Sequence, residues 1–440
     1  MKLLNALILA AVLNVSAKDS EADELTDELN DETNIERNEH NLNLCFSIGY
    51  YNEEISIFEP GSISCNMSNI DSLLELGASY FSQERVWERL LGASFSVYFL
   101  LIESTLNHEL GHYSEMFANG VYGTLDLSQI FLLNGSTHYP EGADESPEIT
   151  EVLRMSVGGR GMAQNTRHSQ HILQQSILDD GFNFFTSLNY IIHHLDITNY
   201  VFSDILTGSY GLVYGNTSDI IHYNMNLAIH TLVPFDINDT RWPSIEFRRE
   251  RYEIYYNEIL EENRFYDNNI LGAALFNLFD PYTLMSFYNV GNYILTGDNE
   301  SSLLNPFIPQ FNGILTSAGP WYQLMWNFPF SDSLLGTLLS TELSIGFSPE
   351  FSFEAGAGLL KVPISDTDIY LNIGGSLSLQ RDGVDFTDEQ DTVWTYNTGF
   401  GYSFGELNID LNTSIKSDGW SSEIFGLNSE NILFININFN

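Results

Sequence analysis

The sequence predicts an α+β protein: a mainly helical region that carries a His-Glu-x-x-His motif, followed by an antiparallel β-barrel-like region of the outer-membrane type. Three observations lead to this prediction. A proline-free apolar run, residues 90–102, leads directly into the motif at His108, Glu109 and His112. Residues 306–440 alternate between apolar and polar side chains, which is the period of a β-strand. The chain also begins with the pattern of an export signal.

The N-terminal segments follow from composition. Lys2, the apolar stretch 3–12 and the small residues Val15-Ser16-Ala17 are typical of a signal peptide and its cleavage site. We therefore predict a signal peptide over 1–17 and an exported protein, in the outer membrane or periplasm of a Gram-negative bacterium. The acidic, asparagine-rich residues 18–41 contain few apolar side chains, which predicts a disordered leader.

The two cysteines of the chain, Cys45 and Cys65, lie in a small segment over 42–75. In an exported protein this pair predicts a disulfide. Two buried thiols are the alternative. Residues 76–305 follow as a helical domain, with expected helices at 80–119, 165–208, 218–232, 244–264 and 268–296.

The region 306–440 predicts amphipathic strands. Apolar and aromatic residues stand at every second position, for example Phe351, Phe353 and Ala355, then Trp394 and Tyr396. Strands of about ten residues with aromatic side chains on one face are typical of a membrane β-barrel, so we predict one here. A soluble β-sandwich, or a half-barrel that caps the helical domain, is the alternative, because alternation does not distinguish lipid from a protein core.

Charge limits the partners. The chain has 440 residues and a net charge of −43, from 59 acidic against 16 basic residues. Such an excess of negative charge disfavours binding to nucleic acid or to anionic lipid headgroups. The predicted partners are a peptide or protein substrate and the outer membrane, and not nucleic acid.

The motif predicts a zinc site. His108 and His112 are four residues apart, so on a helix both imidazoles lie on one face and can bind one zinc ion. Glu109 lies beside them, where it can take a proton from a water that the metal activates. Gly111 would let another backbone approach the metal face, and Gly120 would end the helix. The alternative is a solvated helix whose two histidines bind nothing.

A catalytic zinc needs a third protein ligand, and the sequence leaves three choices. The first is Asp280, which is also a natural N-cap before Pro281. The other two are sets of residues. One is the acidic cluster Glu141, Asp144, Glu145, Glu148 and Glu151, and the other is the remaining histidines, His138, His168, His171, His193, His194, His222 and His230. Glu115 is on the same helix face as the motif and is better suited to support a ligand than to be one. Asp219 and His222, three apart on one helix, could assist.

The segment His108-Glu-Leu-Gly-His112, followed by Ala118-Asn-Gly-Val121 and a β-like stretch, resembles site-2-protease-type metallopeptidases. That resemblance implies a short sheet after the motif helix and then a Gly-rich element with a downstream Asn, which residues 158–165 match. It also implies a third ligand from an Asp on a later apolar helix. Asp280, three residues after Asn277, takes that place, although Pro281 follows it where the family has Gly. The resemblance covers residues 88–165 and 268–296.

Two functions are compatible with these observations. The first is an exported zinc metallopeptidase held at the outer membrane, with His108, His112 and Asp280 as ligands and Glu109 as general base. Its oxyanion donor would be one of Tyr113, Arg160, Tyr223 and His222. The second is a non-enzymatic outer-membrane barrel or surface protein with a structural or vestigial zinc site. An intact Glu109 favours the first, because a structural site has no need of a general base.

Overall fold

The structure is a computed structural model. It describes residues 44–51, 54–56, 60–79, 85–140, 151–178, 181–207, 219–233, 245–259, 268–299, 305–330, 337–347, 351–364, 367–381, 390–404, 407–420 and 430–439. The predicted signal peptide, the acidic leader and most of the acidic cluster at 141–151 lie outside these ranges.

Nine α-helices are present in the described residues. They are α1 (Pro60–Ser79), α2 (Val86–Ala118), α3 (Glu151–Leu178), α4 (Phe184–His194), α5 (Asp196–Thr207), α6 (Asp219–Leu232), α7 (Ile245–Ile254), α8 (Asn268–Leu278) and α9 (Pro281–Thr296). A π-helical turn, Tyr255–Ile259, follows α7. Asn119 caps the C-terminal end of α2, and Gly120 follows with a φ of 74°, so the predicted helix stop is confirmed.

Most strands belong to one antiparallel sheet. They are β1 (Leu44–Tyr51), β2 (Glu54–Ser56), β5 (Gln310–Thr316), β6 (Gly319–Pro329), β7 (Leu338–Gly346), β8 (Ser352–Pro363), β9 (Ile369–Arg381), β10 (Gln390–Phe404), β11 (Leu407–Lys416) and β12 (Glu430–Phe439). The strand order is β2-β1-β12-β11-β10-β9-β8-β7-β6-β5, with sequential hairpins from β5 to β12. Because β2 and β5 do not pair with each other, the sheet formed by the described strands is open rather than a closed barrel.

On the neighbouring strands β10 and β11, the two faces of this sheet are inverted relative to a soluble protein. On β11 the buried side chains are polar, namely Asn408, Asp410, Asn412, Ser414 and Lys416. On the neighbouring β10 the exposed side chains are aromatic, namely Trp394, Tyr396, Phe400, Tyr402 and Phe404. Period-two alternation is therefore confirmed as strand structure, but its polar residues face the interior of the molecule.

Helix α3 covers the polar face. The side-chain amide of Gln170 donates to Gln323 of β6 at 2.8 Å, and that of Gln174 donates to Asn327 at 3.3 Å. The guanidinium of Arg160 stacks over Trp420, 4.9 Å from the ring centre. Polar side chains on the sheet are thus satisfied by polar side chains on the helix.

The predicted segments 42–75, 76–305 and 306–440 are parts of one compact unit, residues 42–440. Strand β1 pairs with β12, so the cysteine-bearing segment extends the C-terminal sheet. Cys45 and Cys65 form a disulfide with their Cα atoms 5.3 Å apart. The Asn69 side-chain oxygen accepts from the Cys45 N–H, and its amide nitrogen donates to the Cys45 carbonyl, at 2.6 Å each. The side chain thus makes the two hydrogen bonds that a neighbouring strand would make.

Helix α2 is the one described helix that is long and apolar enough to cross a membrane by length and composition. Helices α8 and α9 pass the same test only as a pair, bent by 48° at the break between them. The core helix of a soluble protein passes this test as well. The importance of α2 here is that it carries the His-Glu-x-x-His motif and packs against α1, α3, α4 and α9.

Candidate metal centre

The two motif histidines meet an aspartate from α6. The Nε2 atoms of His108 and His112 are 2.9 Å apart, and the Oδ2 atom of Asp219 is 3.0 Å from the first and 3.3 Å from the second. The three donor atoms thus form a small triangle. Two ligands of a tetrahedral zinc with bonds of about 2.0–2.1 Å lie roughly 3.3 Å apart, so this triangle has about the right size for such an ion.

Each imidazole is oriented by an acceptor on its other nitrogen. His108 Nδ1 donates to Asp196 Oδ2 at 2.7 Å, and His112 Nδ1 donates to the backbone carbonyl of Val157 at 2.5 Å. With both Nδ1 atoms protonated, each Nε2 presents a lone pair to the other. Two lone pairs and a carboxylate oxygen at these distances repel one another unless a cation, either a proton or a metal ion, lies between them.

The pKa shifts of His108 and Asp219 agree with a cation shared between these side chains. Burial opposes protonation of His108, but the carboxylates of Asp196 and Asp219 outweigh it and hold the pKa of His108 well above its ordinary value. Burial also favours the neutral form of Asp219, yet the two histidines outweigh it and lower the pKa of Asp219. A metal ion would replace this proton, so its binding would release a proton.

The site is buried on one side and open on the other. His108 and His112 are buried on α2, whereas the side chain of Asp219 is 29% exposed. Asp219 stands at the start of α6, where a carboxylate is favoured by the helix dipole. A site with three protein ligands and one accessible side has the form of a catalytic rather than a structural metal site.

Glu109 lies next to the ligands, beneath a two-stranded hairpin. This hairpin consists of β3 (Thr124–Gln129) and β4 (Asn134–His138), the short sheet expected after the motif. Thr137 Oγ1 of β4 donates to Glu109 Oε2 at 2.8 Å. A Cβ atom at Gly135 would come within 2.7 Å of Glu109 Cγ, so glycine lets β4 approach the carboxylate.

Two glycines let α3 pack closely against the face of α2 that carries His108 and His112. A Cβ atom at Gly111 would lie 2.8 Å from the carbonyl oxygen of Arg160 and 3.0 Å from the Cα of Gly161. A Cβ atom at Gly161 would lie 2.6 Å from His112 Nε2 and 2.8 Å from His108 Cδ2. The prediction that Gly111 permits a close backbone approach is confirmed. The Gly-rich element 158–161, expected as a separate element, is instead part of α3.

Tyr200 completes the wall of the site. Its ring stacks on that of His108, with ring centres 5.3 Å apart, and its hydroxyl is 3.4 Å from His108 Nε2. Burial and the nearby carboxylates of Asp219, Asp196 and Glu109 raise the pKa of Tyr200. The hydroxyl therefore keeps its proton at neutral pH and remains a hydrogen-bond donor.

Asp280 is not with the histidines, which corrects the predicted ligand set. It is the N-cap of α9, where its Oδ2 accepts from the Thr283 N–H at 2.7 Å and from the Tyr190 hydroxyl at 2.9 Å. Its Oδ1 accepts from the Phe311 N–H of β5 at 2.9 Å. The carboxylate is fully used in joining α9, α4 and the sheet, as expected for a cap before a proline.

The other choices for a third ligand are not brought to the pair either. The acidic residues 141–148 lie outside the described residues. Among the histidines of the described ranges, none other than His108 and His112 joins the group formed with Asp219. His168 and His193 instead belong to a second buried group with Glu103.

Glu115 and the predicted oxyanion donors hold the frame around the site. Glu115 accepts from Ser156 Oγ at 2.5 Å and from Arg160 Nε at 2.9 Å, and so ties α3 to α2. The Arg160 guanidinium is thereby held in an ion pair with Glu115. Tyr223 donates to the carbonyl of Thr316 at 2.6 Å, and His222 faces solvent.

Sequence reasoning missed Asp196 and Tyr200 and gave Asp219 only an assisting role. Each of the two aspartates is the first residue of its helix, α5 or α6. An aspartate at such a position is usually explained by capping or by the helix dipole, so the sequence carries no separate signal of a ligand. Tyr200 stands four residues after Asp196, on the same face of α5, and that spacing was the available clue.

Comparisons with known proteins give no assignment. No protein-family model, no curated protein and no solved structure matches this chain.

We expect Asp219→Asn to weaken zinc binding by more than about 100-fold, because loss of an outer-shell partner alone typically costs 10–100-fold. The matched variant Asp280→Asn should leave zinc affinity unchanged. Titration of the metal-free protein against a chromophoric chelator measures both. The assignment of Asp219 is wrong if Asp280→Asn, and not Asp219→Asn, loses the affinity.

We expect Gly161→Ala to abolish zinc binding at this site, since the added methyl would overlap both imidazoles. Gly158→Ala on the same helix is the control. Its Cβ would lie 3.7 Å from the nearest atom, in ordinary contact. It should bind zinc normally and be more stable by about 0.5–1 kcal/mol, as alanine is in a helix. Urea unfolding and zinc titration of both variants test this, and equal zinc binding by the two would contradict it.

Proposed function

We propose that this protein is a zinc-dependent metallopeptidase, with His108, His112 and Asp219 as metal ligands and Glu109 as general base. The observation that carries the proposal is the convergence of three donor atoms next to a carboxylate that binds none of them. The tautomers of both histidines are fixed by Asp196 and Val157, so their metal-binding nitrogens are already oriented.

A zinc ion bound there would polarise the scissile carbonyl and lower the pKa of a water molecule to about 7. Glu109 accepts the proton of the attacking water and later delivers it to the leaving amine. Thr137 fixes the Glu109 carboxylate through a 2.8 Å hydrogen bond. The Tyr200 hydroxyl, 3.4 Å from His108 Nε2, would donate to the carbonyl oxygen as negative charge develops on it, an interaction typically worth about 10²–10³ in rate.

The hairpin favours a peptide as substrate. β3 and β4 form a sheet of two strands among the described residues, so each keeps an edge without a strand partner. Strand β4 lies along α2 with Thr137 on Glu109. An extended peptide pairing with such an edge would carry its backbone past the general base. This arrangement fits the resemblance to site-2-protease-type peptidases, with Asp219 in the role expected of Asp280.

We further propose that the outer face of the sheet contacts the lipid of an outer membrane. The aromatic side chains of β10 and the exposed Ile409, Leu411, Leu433 and Ile435 face away from the helices. Monomeric soluble proteins rarely expose so large an apolar surface. Polar groups buried against α3 and apolar groups outside are the pattern of an outer-membrane protein. In a non-enzymatic outer-membrane protein this face would also contact lipid, but Glu109 would have no role.

We expect Glu109→Gln to lower peptidase activity by at least 10²–10⁴-fold while zinc content stays at the wild-type value, because only the proton acceptor is lost. Cleavage of a peptide mixture, read by mass spectrometry, measures activity. Glu88→Gln, in the half-buried capping box at the start of the same helix, is the matched control and should cleave normally, because glutamine can accept the same hydrogen bond from the Arg85 N–H. A fully active Glu109→Gln protein would rule out this mechanism.

We expect the chain, expressed in a Gram-negative host, to remain in the outer-membrane fraction after alkaline carbonate extraction. Phe400→Lys with Leu411→Lys, a directly paired position on β10 and β11, should reduce this retention. A lysine costs about 2–4 kcal/mol at the middle of a bilayer. Glu246→Lys on the exposed side of α7 should have no effect. Release of the wild-type protein by carbonate would show that the outer face of the sheet contacts something other than lipid.

A further inference from the structure

A second group of ionisable side chains is buried in the helical core. Glu103 of α2, His168 of α3 and His193 of α4 offer donor atoms that all lie within 4.8 Å of one another. Glu103 is 1% exposed, and the two histidines are fully buried. Their imidazole rings meet edge to face, with centres 4.5 Å apart. Asp71 of α1 forms a hydrogen bond with His168, in which the Asp71 Oδ2 atom lies 2.8 Å from His168 Nε2.

The hydrogen bonds around His193 direct a lone pair toward Glu103. The side-chain amide of Asn165 donates to Asp196 at 2.9 Å and to the Ser104 carbonyl at 3.2 Å, so its oxygen faces His193. His193 Nδ1, 3.1 Å away, must then be the donor to that oxygen. His193 Nε2 is left as an acceptor in direct contact with a Glu103 carboxylate oxygen. Two acceptors in contact require a cation between them, as in the first site.

Three further polar atoms in this cluster have no hydrogen-bond partner among the residues that the structure describes. They are Glu103 Oε1, His168 Nδ1 and Asp71 Oδ1. Glu103 Oε1 lies 3.9 Å from His168 Nε2, too far for a hydrogen bond but close enough to share an ion. Buried carboxylates are normally paired or coordinate a metal, because leaving one unpaired costs several kcal/mol. A buried carboxylate oxygen that lacks a hydrogen-bond partner and lies beside two histidines therefore indicates that this group binds an ion.

We propose that Glu103, His168 and His193 form a second zinc site with a structural role, with Asp71 hydrogen-bonded to His168. The three ligands are at most 1% exposed, so the ion would have no accessible side for a substrate, in contrast to the first site. The ligands come from α2, α3 and α4, so the ion would join these three helices, and α2 and α3 also line the first site. Glu103 is five residues before His108, and Asn165 links His193 to the Asp196 that orients His108.

The test is zinc stoichiometry, which does not depend on catalysis. Metal-free protein is titrated with zinc alone, and bound zinc is measured by mass spectrometry after desalting. We expect two zinc ions per chain in the wild type and one in His112→Ala, whose side chain contacts the first site only. His168→Asn should also keep one, and His112→Ala with His168→Asn should keep none.

His194→Asn is the matched control, because His194 is equally buried beside the cluster and belongs to neither group. It should bind two zinc ions. One zinc in the wild type and none in His112→Ala would overturn the proposal and leave a buried proton between Glu103 and His193. If His168→Asn does not fold, X-ray absorption on zinc-loaded His112→Ala decides. Two imidazoles with oxygen ligands are expected, and a zinc without imidazole overturns the second site while leaving the first intact.

Discussion

The close approach of α2 and α3 is the contact on which the proposed metal centre depends. Gly111 and Gly161 let the two helices touch where any side chain would push them apart. The contact places the Val157 carbonyl on His112 and leaves room for both imidazoles against α3. Glu115 secures the same contact through Ser156 and Arg160. The metal geometry is thus a consequence of backbone packing, and the packing in turn is held by a buried ion pair whose loss would leave an unpaired charge.

Both groups of ligands are arranged by the same physical device. In each, the far nitrogen of a histidine is occupied by an acceptor, which fixes the tautomer and presents the near nitrogen as a lone pair. Asn165 takes part in both, since its amide nitrogen binds Asp196 and its oxygen faces His193. One asparagine on α3 therefore couples the orientation of His108 to that of His193.

The sheet and the helices depend on each other through polar as well as apolar contact, since Trp321 and Ile314 of the sheet share one buried cluster with Val157 of α3. Gln170 and Gln174 on α3 reach Gln323 and Asn327, and a network including Glu342, Glu354 and Thr395 continues across the inner face. A polar inner face would be filled by water if the helices were removed. The exposed apolar side chains of the outer face remain, and only lipid or another apolar surface can cover them. The helical region and the amphipathic sheet are therefore two parts of one unit rather than separable modules.

The sequence by itself determined the elements whose cause is local. It contained the motif helix and its end at Gly120, the close approach at Gly111, the period-two strands and the Cys45–Cys65 pair, because each depends on spacing or on one residue's conformational freedom. It also identified two of the three residues of the metal group. Tertiary structure alone decided the third. Asp219 and Asp280 both begin apolar helices, and only packing brings α6 to the histidines and turns α9 toward Tyr190 and β5. The tertiary structure also decided against the predicted closed barrel and for an open sheet, which the sequence had left as an alternative, since alternation gives the two faces of a strand but not what covers each face.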